Sequence, residues 1–235
     1  MTHFDNVNET VLAEIPLDAR RIGELGCGAG AMARVLRSRQ EIPHYVGIDV
    51  VHDQLANASQ WLDVAIEVDL NAVTDWSQHV HLSQLPEGSF DCWVAGDVLE
   101  HLIEPEHAIK EMFRALRPGG KTVICVPNVQ NWQTFVNLVQ GSWPRDDAGL
   151  FDRTHLRWFT RNDMAQFLVA CGFRVEKCLG RQFGRAQGEE VLEFLEPLCG
   201  FLGVDYEAFF VDGLALQHVF VASRPVKLNH ADQSR

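Results

Sequence analysis

Three observations predict an α/β fold on a seven-stranded, mostly parallel sheet with helices on both faces. Strand-like and helix-like runs alternate along the 235 residues, the pattern of parallel strands joined by helical crossovers. The first strand-like run enters a turn with glycine at alternate positions, Gly26, Gly28 and Gly30. Carboxylates then recur at the ends of later strand-like runs, which is where such sheets bind ligands.

Taken in order, Val7, Val11, Leu12 and Ile15 share one face of a helix over 5–15, and Pro16 ends it. A first strand over 21–25 leads through the glycine turn into a helix over about 30–38. Pro43 blocks continuation of that helix, and a second strand follows over 44–48. A helix over 53–61 precedes a third strand over 64–68. The fourth strand, over 90–95, ends at Gly96-Asp97. After a helix over 105–116, the turn Leu116-Arg117-Pro118-Gly119-Gly120 enters a fifth strand over 122–126.

Residues 129–159 have no place in a minimal fold of this kind. They are rich in aromatics and are expected to form a lid over an acceptor, with Trp143 in the turn-rich Gly141-Ser142-Trp143-Pro144 closing over it, although Trp132, Phe135 and Leu138 also suit a packed helix. A helix over 160–171 opens with Thr160 as N-cap and Asp163 three residues later. A sixth strand is expected over 173–178. A second insertion, 184–213, carries one apolar helix over 189–202 and is expected to act as a cap or a homodimer contact. The last strand covers 215–222, and the tail after Arg224 is polar. The chain reads as one domain, 1–235.

Composition narrows the partners. The formal net charge is −12, which opposes binding to a polyanion and favours a small-molecule acceptor over nucleic acid. Against that balance, Arg145, Arg153, Arg157 and Arg161 leave room for one local basic patch. No apolar run reaches the length of a membrane span, and the first residues lack the basic start and apolar core of a secretory signal. The six cysteines are scattered, with no C-x-x-C pair, and read as reduced thiols of a cytoplasmic protein.

The stretch Arg21–Leu25 and its turn read RIGELGCGAG. Glycine there lets backbone approach a ligand closely, and the following helix turns free N–H groups toward it. The turn also satisfies the loose dinucleotide pattern G-x-G-x-x-G/A, with Asp49 at the distance of a ribose-binding acid, so an NAD-dependent oxidoreductase is one reading. Four further features follow in register: Glu24 two residues before the first glycine, Asp69 after the third strand, Gly96-Asp97 after the fourth, and the LRPGG turn. Together these resemble the class I S-adenosylmethionine (SAM) methyltransferases, over most of the chain.

That resemblance implies a Rossmann-like fold and SAM as cofactor. It implies a cofactor site made of Glu24, Gly26, Cys27, Gly28, Gly30, Asp49, Val50, Asp69, Leu70 and Gly96. The glycines would wrap the methionine part, and Glu24 would orient the turn or meet the ammonium through water. Asp49 would accept both ribose hydroxyls, as a two-oxygen acceptor suits a diol. Asp69 would accept from the adenine amine.

Asp97, Glu100 and His101 stand at i, i+3 and i+4, which on a helix share one face. With His155, ahead of Trp158-Phe159-Thr160-Arg161, they resemble the E-x-x-E-H and histidine elements of the small-RNA 2′-O-methyltransferases, which hold a divalent ion. Ubiquinone-pathway O-methyltransferases carry a similar E-x-x-E-H element. Here Asp97 replaces the first Glu, which shortens that ligand's reach. A metal set of Asp97, Glu100, His101 and His155 suits Mg²⁺, Mn²⁺ or Zn²⁺. The same residues also read as a capping box at Asp97–Glu100, or as catalytic His101, His155 and Glu100 without metal. The segments VPNVQNW and FDRTHLRWFT resemble methyltransferases of glycan and natural-product biosynthesis.

The expected activity is SAM-dependent O-methylation of a small hydroxylated metabolite or sugar. The N/D-P-P-Y motif of many N-methyltransferases is replaced by Ala95-Gly96-Asp97-Val98. Rival readings are an RNA 2′-O-methyltransferase, the oxidoreductase, and a non-catalytic SAM-binding subunit.

Overall fold

The computed structural model describes residues 7–73 and 75–226. Seven strands form one sheet: β1 (Arg21–Leu25), β2 (His44–Asp49), β3 (Val64–Glu67), β4 (Phe90–Gly96), β5 (Leu116–Pro127), β6 (Arg174–Gln182) and β7 (Ala215–Ser223). Their order is β3-β2-β1-β4-β5-β7-β6. The pairs from β3 to β5 are parallel, and β7 runs antiparallel to both of its neighbours. The strand order reverses direction between β1 and β4, so a crevice opens at the carboxyl ends of those two strands.

The central strands read as continuous apolar runs because both of their faces are covered. Along β4, Trp93 and Ala95 join one core cluster, while Cys92 and Val94 join the other. The same alternation separates Ile124 and Val126 from Val123 and Cys125 on β5. Helices α1 (Glu9–Glu14) and α2 (Ala31–Arg39) cover one face through Val11, Leu12, Ala33 and Leu36. On the other face, α4 (Pro105–Ala115) and α6 (Arg161–Ala170) contribute Ile109, Met112, Met164 and Leu168. The short helix α3 (His52–Ala58) lies between β2 and β3, and α5 (Trp132–Val139) follows β5. Trp93 anchors the second face, with its ring 5.0 Å from Phe90 and 5.9 Å from Trp76. Tilted ring pairs of this kind add about 0.5–1.5 kcal/mol beyond burial.

Several expected boundaries shift for local reasons. The first helix starts at Glu9, because the Asn8 side chain accepts from Val11 N and caps it there; residues 5 and 6 lie outside the described residues. Ile15, before Pro16, is extended, as a residue preceding proline prefers. Thr160 caps α6 as expected, accepting from Asp163 N at 3.2 Å. The single helix expected over 189–202 is instead two, α7 (Arg185–Glu193) and α8 (Glu196–Leu202), followed by α9 (Tyr206–Leu214). Pro197, which has no N–H to donate, sits in the first turn of α8 and restarts the helix there. Of the polar tail, residues 227–235 lie outside the described residues.

No helix among the described residues is long and apolar enough to cross a membrane. All six cysteines are free thiols.

Candidate active site

The glycine turn is fixed to the sheet by its backbone. Gly26 N and Cys27 N both donate to Ile48 O, at 2.8 and 3.2 Å. Gly26 and Gly30 have φ of 66° and 78°, a left-handed conformation that L side chains resist. A Cβ on Gly26 would stand 2.4 Å from Val98 Cγ2. This close approach keeps the turn open on its cavity side and makes a cradle that only glycine leaves clear. Gly30 precedes α2, and no side chain caps that helix; its first N–H groups are available to an anionic or polar ligand.

Asp49, at the end of β2, accepts from Gly28 N at 2.7 Å and from Val51 N at 2.9 Å. Each oxygen keeps a further lone pair for a diol. Val50 beside it is exposed. Asp69 follows β3 and accepts from Asn71 N at 2.9 Å, leaving Leu70 half-buried next to it. Glu24 is buried within β1 and accepts from the Tyr45 hydroxyl at 2.7 Å. Burial pushes its carboxyl up to about 7; the Tyr45 hydrogen bond opposes the shift and Asp49 adds to it. A buried acid poised in this way suits a cationic ligand group. Asp49 is thus bonded to the turn itself, and the turn with Glu24 and Asp49 is a donor set of the kind an adenosyl amino acid needs, whereas the hydrogen bond of Asp69 is local, to Asn71.

The second constellation is built from two distant segments. The stretch after β4 does not form the helix expected from the D-x-x-E-H spacing. Leu99–His101 is one 3-10 turn, and its cap, Val98, makes no side-chain bond, so the capping-box reading of Asp97–Glu100 is corrected. Asp97 adopts φ 56°, the only positive value at a non-glycine among the described residues. Its Oδ1 accepts from Gln217 Nε2, and Gln217 Oε1 accepts from Arg181.

The loop 147–157 folds back onto this turn. Leu156 N and Arg157 N donate to Glu100 O at 2.7 and 3.1 Å. His101 Nδ1 lies 3.2 Å from Thr154 O and 3.1 Å from Thr154 Oγ1. The Thr154 hydroxyl itself donates to Asp152 at 2.6 Å. His155 Nδ1 lies 3.1 Å from Leu150 O. A carbonyl only accepts, so in each ring Nδ1 is the donor, and a neutral imidazole so held presents its Nε2 lone pair. Glu100, His101 and His155 each bring one ligand atom within 4.8 Å of the others. Asp97, expected as the fourth member, stands outside this trio.

Glu100 is 1% exposed, and its Oε2 has no hydrogen-bond partner. Burial, with Asp97 and Asp152 nearby, holds its carboxyl well above the usual range. Burial and the neighbouring His101 imidazole push His155 down, against the Leu150 carbonyl bond. Anchored imidazoles beside an unsatisfied buried carboxylate oxygen form a donor set that fits a divalent cation.

A cavity of about 840 Å³ is lined by Glu24, Gly26, Cys27 and Gly28 from the first constellation, by Gly96 and Asp97, and by Glu100, His101 and His155 from the second. Gly30, Asp49, Val50, Asp69 and Leu70 are not in its lining. Sequence reasoning missed Asn8 and Val11 of α1, Arg181 of β6 and Gln217 of β7, which also line it. Only the placement of β7 between β5 and β6 brings Gln217 and Arg181 there. Trp143, expected to close over an acceptor, is not in the lining; its ring packs on Phe151 at 5.1 Å and Trp158 at 5.3 Å.

The sequence pattern of a family described as a methyltransferase domain matches residues 4–177. The chain is 29% identical to a malonyl-[acyl-carrier protein] O-methyltransferase of Brevibacillus brevis over 77% of its own length, and spans 64% of that protein. It is 27% identical to a ubiquinone biosynthesis O-methyltransferase of Aeromonas salmonicida, covering 78% of this chain and 79% of that one. Among solved structures, a SAM-dependent methyltransferase from Mesorhizobium loti superposes with a TM-score of 0.60 over 94% of this chain and all of that one, at 19% identity. That likeness speaks to the fold.

Proposed function

The chain belongs to the class I SAM-dependent methyltransferases, and on that premise we propose that it methylates an oxygen of a small hydroxylated acceptor, a metabolite or a sugar. One observation carries this reading: a single cavity runs from the glycine turn to the trio Glu100, His101 and His155. When bound, SAM supplies an electrophilic sulfonium methyl. Gly26, Cys27 and Gly28 would hold its amino-acid part, Asp49 its ribose, and Asp69 with Leu70 its adenine. Val50 and Gly96 would flank it, and Glu24 would face the ammonium.

The chain's own contribution is to position and deprotonate the acceptor. A hydroxyl at the trio would find the Nε2 lone pair of His155 or His101 as its proton acceptor. Alignment of the two reactants supplies most of the acceleration, and a well-placed base adds about 10²–10⁴. The loop 147–157 would exclude water from that end of the cavity.

A second reading concerns a metal. Two lone-pair-bearing atoms, His155 Nε2 and Glu100 Oε1, face each other at 3.9 Å, which favours a cation shared with His101. Mg²⁺ or Mn²⁺ held there would lower the pKa of an acceptor hydroxyl.

Incubation with methyl-labelled SAM and a panel of catechols, phenols, sugars and amines tests the proposal. Label on an oxygen is expected. Label confined to nitrogen, or SAM binding with no transfer across the panel, overturns it.

A further inference from the structure

Helices α7, α8 and α9 carry a surface that the cavity does not use. Leu198, Phe201 and Leu202 recur at helical spacing on α8, and Phe194 stands one helical step earlier, in the turn before it. They are 51%, 85%, 62% and 85% exposed, respectively. Only Cys199 of α8 is buried, so the helix turns its apolar stripe outward. A folded chain rarely leaves such a contiguous apolar patch in water without a partner for it.

Helices α8 and α9 themselves carry charge of one sign. Every Asp, Glu, Lys or Arg between Arg185 and Arg224 is a carboxylate. Glu193, Glu196 and Glu207 line a hollow of about 620 Å³ together with Tyr206, Phe210 and Val211. None of those three carboxylates engages in an ion pair among the described residues. The rings of Tyr206 and Phe210 meet at 5.6 Å, edge to face.

We propose that the α8–α9 face is a docking surface for a partner protein that presents a basic amphipathic helix. Apolar side chains of that helix would cover Phe194, Leu198, Phe201 and Leu202. Its Lys or Arg side chains would enter the hollow, meeting Glu193, Glu196 and Glu207 at their heads and Tyr206 or Phe210 along their stems. Charge complementarity selects this occupant. A second copy docking by the same face would set carboxylates against carboxylates. An anionic bilayer is repelled for the same reason.

The test uses the full chain and two labelled model peptides of one amphipathic pattern, Leu/Lys and Leu/Glu, in fluorescence anisotropy at low and high salt. Binding of the Leu/Lys peptide, weakened by salt, is expected. The pair Glu193→Lys with Glu207→Lys should weaken it by about tenfold or more and admit the Leu/Glu peptide instead. Leu198→Ser and Phe201→Ser, each at an exposed position, should weaken it while leaving the melting temperature and SAM binding unchanged. Equal affinity for the two peptides overturns the proposal, as does Leu/Lys binding unaffected by these variants. So does co-sedimentation with phosphatidylcholine vesicles, or a dimer that Phe201→Ser dissociates.

Discussion

His155 Nε2 stands 3.9 Å from Glu100 Oε1, too far for a hydrogen bond, while the Nδ1 proton of His155 is engaged by the Leu150 carbonyl. The imidazole and the buried carboxyl thus face each other across a gap that no direct hydrogen bond closes.

If a divalent cation belongs in that gap, chelation abolishes methyl transfer and Mn²⁺ restores it. Calorimetry should then show Mn²⁺ binding to the wild type and none to Glu100→Gln. Full turnover in chelator, with His155→Ala still losing about 10²–10⁴ in rate, would assign His155 as a general base instead.

Asp49 spends one lone pair of each oxygen on backbone N–H groups and has the rest available to the ribose. Asp49→Ala should weaken SAM binding by about 1.5–3 kcal/mol, read by calorimetry. Unchanged affinity would remove Asp49 from the cofactor site.

Glu24 gives a signed pH effect. Its carboxyl titrates at about 7 in the fold against an ordinary value of 4.5, so the folded state binds the proton more tightly than the unfolded state. Its stabilising contribution is complete below the unfolded value and is lost as pH rises through about 7, a swing of about 3 kcal/mol. Glu24→Gln removes the titration and keeps a partner for Tyr45. Thermal melts should show the variant gaining on the wild type between pH 5 and 7, then a constant gap above. A gap that does not change across that window would contradict the buried, protonated state.

Trp143 packs against Phe151 and Trp158 and does not line the cavity. Trp143→Ala should therefore destabilise by about 1–3 kcal/mol and speed proteolysis within 143–153, with SAM affinity intact. An unchanged melting temperature with a raised acceptor KM would return Trp143 to an acceptor-binding role.

The sheet was legible because its central strands are buried on both faces and leave unbroken apolar runs, as in Cys92-Trp93-Val94-Ala95. The glycine turn was legible because Gly26 and Gly30 need a backbone that other residues resist. The trio was legible only as types and spacing. D-x-x-E-H suggests a helix, whereas Asp97 turns left-handed and Leu99–His101 forms a single 3-10 turn. No pattern marked the partners that fix the trio, because they are the carbonyls of Leu150 and Thr154. Gln217 and Arg181 escaped for a topological reason, since strand order cannot be read from spacing.

The position of β7 carries a consequence for biosynthesis. Of the seven strands among the described residues this one leaves the ribosome after the other six, yet it lies between β5 and β6. Until Ala215–Ser223 emerges, β6 has no neighbour in the sheet and Asp97 lacks the Gln217 amide that holds it. A nascent chain arrested before that point would leave one edge of β5 and both edges of β6 unpaired, a state prone to misassociation. The glycine-turn side of the cavity, drawn from β1, the turn after it and α2, is by contrast encoded early in translation. One cavity is thus lined in two stages, and Leu216 and Gln217 of β7 are the last of its walls to arrive.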